Sequence, residues 1–438
     1  MNRTRSNEPD SLENDMDFVT EPEKSPGTVS RRGLIGLVTT TVASAAVGIG
    51  GFAIGGQLAG AATADPSNAG SSGAAPGADI DLTADIVEFD GLHQAGIATP
   101  AQTNVLLTSY DVAQSASRAD LAAVMKAWTQ AARAMTAGDA VEAGPDISTG
   151  SRPANLTITV GVGAGLVQRL GAQRPRALVD LPAFTGDQLD PARSGGDIVV
   201  QMCSDDPLIL ANADRVITRR AENTLTVRWQ EQGFGSTGAR SDGRTGRNLM
   251  GQLDGTNNVT TSQLATSGPI WVDERDPGWM AGGTYLVVRR IRMLLGDWER
   301  QNTAHQERVI GRTKDTGAPL GGTMESDYVD LEARNADGSL TIPADSHVRL
   351  AKPSSSSENM MRRGYSYRGA VLSDGTVDQG LLFISFQKDP TTSFIPVQQR
   401  LAAHDALSEF TVTTGSALFA ILPGTPTASD WLGSALFA

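Results

Sequence analysis

At 438 residues the chain is long enough to bury one large core or two ordinary ones. Its 36 basic side chains stand against 49 acidic ones, a formal net charge of −13, which argues against nucleic-acid binding and leaves little to attract an anionic membrane. One cysteine, Cys203, excludes an internal disulfide and any cysteine-only metal site, and four histidines (His93, His305, His347, His404) leave few places for imidazole chemistry.

Residues 1–29 are polar and acidic and read as disordered. SRRGLIG (30–36) then places Arg31 and Arg32 ahead of a Gly/Ala/Thr/Val run that reaches to about residue 62. The run is long enough to span a bilayer but only mildly apolar. It ends at Ala62-Thr63-Ala64, which suits a small-residue cleavage site. Residues 1–64 therefore resemble a cleaved twin-arginine export signal. Such a signal implies the export machinery as a partner and a periplasmic or extracellular destination. That route carries folded proteins, often with a cofactor already inserted. Residues 65–80, ADPSNAGSSGAAPGAD, read as a flexible linker, and the folded region is expected to start near Ile80.

Two segments echo each other: GGDIVVQMCSDDPLILANADRVI (195–217) and QGLLFISFQKDPTTSFIPVQQRL (379–401). Each has an apolar, β-branched strand pattern, then Asp-Pro, then helical periodicity. Asp206-Pro207 and Asp389-Pro390 fit an N-cap followed by proline at the first helical position. The arrangement suggests two copies of one α+β unit, an N-terminal domain over 81–235 and a C-terminal domain over 236–438. LTITVGVG (156–163) and TYLVVRRIRM (284–293) are further strands, giving antiparallel sheets with helices on one face. GVGAG (161–165), with Asp180 downstream, superficially suits a dinucleotide site. Its spacing is Gly-x-Gly-x-Gly, however, and no regular alternation of parallel strands and helices follows, so nucleotide binding is not expected.

GQLDGTNN (251–258) sets Asp254 on pliable, glycine-bearing backbone, where the plain reading is a turn. SHVRLAKP (346–353) carries His347 in polar-apolar alternation after the strand-like SLTIPAD. A lone histidine there reads as a hydrogen-bonded structural residue or as a ligand. ENMMRRGYSYRG (358–369) follows, with Arg362 and Arg363 among Met, Gly and Tyr. These are surface charges, or fixed cations facing an interior cavity. Neutral imidazole suits haem iron. A carboxylate and a guanidinium opposite it would complete a peroxide-cleaving site, the first moving the proton and the second stabilising negative charge. An aspartate in that role favours acidic working conditions.

GQLDGTNN resembles the Gly-x-x-Asp-Gly motif of the dye-decolorizing peroxidases. HVRLAKP and MRRGYSY resemble the segments that carry their iron-ligating histidine and distal arginine. GLHQAGIATPAQ (91–102), LTITVGVGAGL (156–166), GGTYLVVRRI (282–291), VIGRTKDTGAPL (309–320), GLLFISFQKDP (380–390) and GSALFAILPG (415–424) extend the likeness through most of the chain beyond the leader. The resemblance implies an α+β chain of two ferredoxin-like domains with one haem b per chain, held in the C-terminal one. It implies His347 as proximal iron ligand, Asp254 as distal acid–base and Arg362 as distal cation. Gly255, Thr256 and Asn257, and Lys352, Pro353 and Ser354, would contact the haem, with Arg312 as a propionate partner. Gln252 departs from the aromatic residue common at its position. An acidic residue should support His347. HDALSEF (404–410) offers Asp405 and Glu409, of which Asp405 is preferred. Leu381 and Phe383 are candidate distal-pocket residues, and Tyr365 and Tyr367 are assigned no role. The implied function is an exported peroxidase that reduces hydrogen peroxide through a ferryl intermediate and oxidises phenolic or dye-like donors. The alternative is the deferrochelatase branch, which takes iron from haem beside iron-uptake components. A homo-oligomer is expected.

Overall fold

The computed structural model describes residues 85–141, 152–236, 245–259, 263–264, 268 and 270–438. The expected export signal and linker lie outside them. The N-terminal half holds β1 (Asn104–Val112), α1 (Arg118–Ala137), β2 (Thr157–Val162), α2 (Ala164–Arg169), β3 (Ile198–Ser204), α3 (Pro207–Arg219) and β4 (Leu225–Phe234). Its strands run in the antiparallel order β2-β3-β1-β4. Every residue of β3 is buried, because helices cover one face and a second sheet the other, and its IVVQMCS run supplies the apolar, β-branched surface both sides need. Helix α1 opens with a capping box between Ser117 and Asp120 and ends at Gly138. Asp206 caps α3 by accepting from the Leu208 amide, with Pro207 in the first turn, as the sequence predicts.

The C-terminal half repeats the plan with β5 (Thr284–Met293), α4 (Leu295–Glu299), α5 (Thr303–Ile310), α6 (His347–Ala351), β6 (Met361–Arg362), β7 (Tyr365–Val371), β8 (Val377–Gln387), α7 (Phe394–His404) and β9 (Thr411–Ile421). Its order, β7-β8-β5-β9, matches β2-β3-β1-β4 of the first half strand for strand, with β6 as an addition. The echoing segments are therefore the third strand and the following helix of each ferredoxin-like half. The halves join edge to edge at two short seams, β2–β9 (Gly161↔Ile421, Val162↔Ala420) and β4–β7 (Phe234↔Ser366), so the sheet closes into a ring. Leu107, Val199, Leu286, Ile384, Phe386 and Phe419 fill its interior.

A buried ionic network crosses between the halves. Arg290 on β5, 3% exposed, reaches Glu231 on β4 at 2.8 Å, Asp378 on β8 at 2.7 Å and the Tyr367 hydroxyl at 3.0 Å. Tyr365 and Tyr367 are both buried, so neither offers a surface for bulky donors.

Three expectations are corrected. The second Asp-Pro does not start a helix: Asp389 accepts from the Thr391 amide through its carboxylate and from the Ser393 amide through its carbonyl, making a tight turn, and α7 begins at Phe394. SLTIPAD is not a strand, contributing only the isolated bridge Arg334↔Leu340. His347 lies on the short helix α6 rather than in extended chain. The GVGAG glycines serve packing, since a side chain at Gly163 would collide with the Gly196 carbonyl and one at Gly161 with Ile421.

Candidate active site

The long connection between β5 and β7 carries most of the candidate residues. Helix α6 is too short to hold itself. Its last carbonyls are met by Arg400 of α7, whose Nε donates to Leu350 O at 3.2 Å and Nη2 to Lys352 O at 3.3 Å. Arg400 also grips Glu358 with two bonds of 2.8 Å, and Ser354 donates its amide and hydroxyl to that same carboxylate. Pro353 and the exposed Ser354 thus lie in a braced turn. From the other side, Gly311 (φ 89°) lets the turn after α5 approach so closely that any side chain there would strike Val348.

His347 is half-buried. Its Nδ1 lies 2.7 Å from Oδ2 of the buried Asp405, whereas Glu409 is exposed. Burial works against protonation of the ring. The charge and hydrogen bond of Asp405 outweigh it and hold the imidazole above its ordinary value. The Asp254 charge adds to that rise and the Arg362 charge opposes it, so both distal candidates act electrostatically on His347.

Asp254 is fixed by its amide, which donates to Gly246 O at 2.9 Å, and by the bridge Arg247↔Leu253. Its Oδ1 lies 3.6 Å from Arg362 Nη1, and both side chains are about a third exposed (30% and 31%). Gly255 follows at φ 123°, a conformation only glycine adopts freely. Thr256 donates to Glu325 Oε1 at 2.7 Å, and the exposed Asn257 offers its carbonyl to Arg362 Nη2 at 3.1 Å. Arg362 shares a sheet face with Ser385, its partner on β8, and by strand alternation with Leu381 and Phe383, which are only half-buried. Gln252 is buried, and its Nε2 has no hydrogen-bond partner among the described residues.

Arg312 is 7% exposed and donates to the carbonyls of Gly317 at 2.7 Å and Glu325 at 3.0 Å. Burial lowers its pKa, Glu325 counters this, and the charge of Arg362 adds to the lowering. Lys352 instead reaches Val329 O at 2.9 Å and lies over the exposed Tyr328 ring. Residues 325–331 thereby bridge the two sides: Glu325 meets Thr256, while Val329 and Leu331 accept from Lys352 and Arg349 of the α6 segment.

Sequence reasoning missed Glu325, Glu358, Arg400 and Asn258. Glu358 sits in a serine run and Arg400 on a mixed helix face, and nothing local marks either as buried or bridging. The other histidines are placed differently. His93 bonds Gly282 O and stacks on Trp271, while His305 and His404 are exposed.

The donor set fits a haem. One imidazole is too few ligands for a bare metal ion, and among the described residues no trio of His, Cys, Asp or Glu gathers to hold one. A single axial nitrogen, with Nδ1 tied to a carboxylate, suits iron already held in a macrocycle. The buried cation of Arg312, bonded to neutral carbonyls, suits a carboxylate-bearing group.

Two ferredoxin-like halves carrying one imidazole, one carboxylate and a guanidinium beside it suit a haem peroxidase, and the comparisons agree. The family model for the N-terminal domain of Dyp-type peroxidases matches residues 94–235, and that for the C-terminal domain matches 245–426. The chain belongs to the Dyp-type peroxidase family, and haem is its cofactor. It is 40% identical to the dye-decolorizing peroxidase of Thermobifida fusca (strain YX), over 92% of this chain and 96% of that one. It is 38% identical to the deferrochelatase of Escherichia coli (strain K12), over 80% of this chain and 86% of that one. Ferric DtpA from Streptomyces lividans superposes with a TM-score of 0.77 at 41% identity, covering 82% of this chain and 100% of that one. A DyP-type peroxidase from Cellulomonas bogoriensis gives 0.76 at 38% identity, covering 81% and 99%.

Proposed function

We propose that the chain reduces hydrogen peroxide and oxidises phenolic or dye-like donors, with His347 as the iron ligand and Asp254 and Arg362 as the groups that handle peroxide. The observation that carries this reading is the convergence of His347, Asp254 and Arg362, from three separate stretches, on one electrostatically coupled space. When bound, haem supplies the iron that takes peroxide oxygen and stores the oxidising equivalents. Asp405 accepts the Nδ1 proton of His347 in a hydrogen bond and leaves Nε2 free as the donor atom. The Asp254 carboxylate takes the proton from the near peroxide oxygen and returns it to the far one. Arg362 stabilises the negative charge that builds on the departing oxygen. Gly255, Thr256 and Asn257 on one side and Lys352, Pro353 and Ser354 on the other would hold the haem edge, and Arg312 would pair with a propionate. In protein loaded with hemin, Asp254→Ala and Arg362→Leu should each slow peroxide consumption about 10²- to 10⁴-fold while the Soret band persists. Wild-type rates in both would remove this reading.

Likeness to the Escherichia coli deferrochelatase, almost as strong as that to the Thermobifida peroxidase, favours one second reading: removal of iron from haem, alongside iron-uptake components. Protoporphyrin fluorescence after incubation with haem under reducing conditions discriminates, and its absence counts against that activity. Under either reading we propose twin-arginine export to the periplasm or beyond, on the strength of Arg31 and Arg32. Replacing both with lysine should retain the protein in the cytoplasm.

A further inference from the structure

Arg362 belongs to β6, a strand of two residues paired on one side with β8. The next residue, Arg363, gives its N–H to Ile384 O at 2.8 Å, so the N–H and C=O of Arg362 face the opposite, open edge. Among the described residues no strand completes that edge. The Asn258 side chain does so instead: its Oδ1 accepts the Arg362 N–H at 2.9 Å, and its Nδ2 donates to the Arg362 carbonyl at 2.7 Å. A primary amide presents a donor and an acceptor side by side, as a neighbouring peptide would. Asn258 Oδ1 also accepts from the Val259 amide at 3.0 Å, which orients the group. The same loop holds the far end of the arginine, through the Asn257 carbonyl at 3.1 Å and Asp254 Oδ1 at 3.6 Å.

We infer that Asn258 is a positioning residue for peroxide cleavage. It welds the main chain of Arg362 to the loop that carries Asp254, so that guanidinium and carboxylate keep one spacing. This rests on the roles proposed above for those two residues. Asn258→Ala removes both bonds. Asn258→Asp keeps the acceptor but sets a second oxygen against the Arg362 carbonyl, and regains a donor only when its carboxyl is protonated.

The test uses hemin-loaded protein with a phenolic donor, and haem-free protein for hydrogen exchange. Asn258→Ala is expected to lower kcat/KM for peroxide about tenfold or more, leaving the donor's KM unchanged. It should add nothing in an Arg362→Leu background, because its effect passes through the arginine. In haem-free protein the Arg362 amide should exchange faster in the variant. Asn258→Asp decides the matter independently of the alanine variant: its turnover relative to wild type should climb as pH falls and the carboxyl protonates. Full additivity with Arg362→Leu, an unchanged Arg362 amide, or a flat Asp-to-wild-type ratio across pH would overturn the inference. A wild-type rate in Arg362→Leu alone would instead overturn the reading beneath it.

Discussion

Oδ2 of Asp405 lies 2.7 Å from Nδ1 of His347, while its companion Oδ1 accepts the Leu407 amide at 2.9 Å. The second bond starts the 3-10 turn Ala406–Phe410 and thereby fixes the first oxygen. Asp405→Asn keeps the shape but removes the charge that holds the imidazole basic. Hemin affinity or peroxide turnover is expected to fall about 10- to 100-fold with the fold intact. Hemin titration followed at the Soret band, with steady-state peroxide consumption, checks this; wild-type values in both would deny Asp405 its part.

Glu358 supplies a pH dependence. The Arg400 hydrogen bond holds its carboxyl down to about 2 from 4.5, against burial, with Ser354 assisting. A depressed carboxyl stabilises the fold fully above its unfolded value. Here that stability is lost as pH falls from about 4.5 towards about 2. At most roughly 3 kcal/mol is involved. The gap in unfolding free energy between wild type and Glu358→Gln should therefore narrow across that window in urea titrations. A gap independent of pH would show that the pair does not control acid stability.

Gln252 leaves a buried amide nitrogen without a partner among the described residues. Gln252→Leu is expected to raise stability by about 1 kcal/mol, read as an increase in Tm. A lower Tm would mean that the amide is satisfied.

Arg290 is the only cation among the described residues that pairs with both Glu231 and Asp378. Arg290→Met leaves Glu231 with Arg193 as its remaining cation and strips the buried Asp378 of its ion-pair partner, and should cost about 3 kcal/mol. Adding Asp378→Asn should recover part of that loss. A double variant no more stable than the single one would count against the pairing.

Much of this fold is legible locally. TYLVVRRIRM is a strand over the residues expected, and the echo at 195–217 and 379–401 marks equivalent positions in two halves. Periodicity and Asp-Pro chemistry act over a few residues, which a sequence displays. They also mislead over a few residues: Asp389 could cap a helix or close a turn, and the second won because Thr391 and Ser393 both bond back to it. The alternation around His347 is too short to separate strand from helix, and α6 depends on partners distant in the chain, among them Arg400 and Asp405. Asp405 and Glu409 differ in which one faces the imidazole, and that is a matter of packing. Asn258 escaped notice because its partner, Arg362, lies 104 residues away.

The position of β9 bears on how the molecule is made. Residues 411–421 fill the gap between β5 and β2 and form one of the two seams, so the ring stays open until residue 421 has left the ribosome. A nascent chain halted near residue 405 already contains His347, Asp254, Arg362 and Asp405, yet β2 and β5 still present unpaired edges. Closure of the ring therefore waits on β9, and removal of β9 should leave a chain prone to aggregate through the exposed β5 edge.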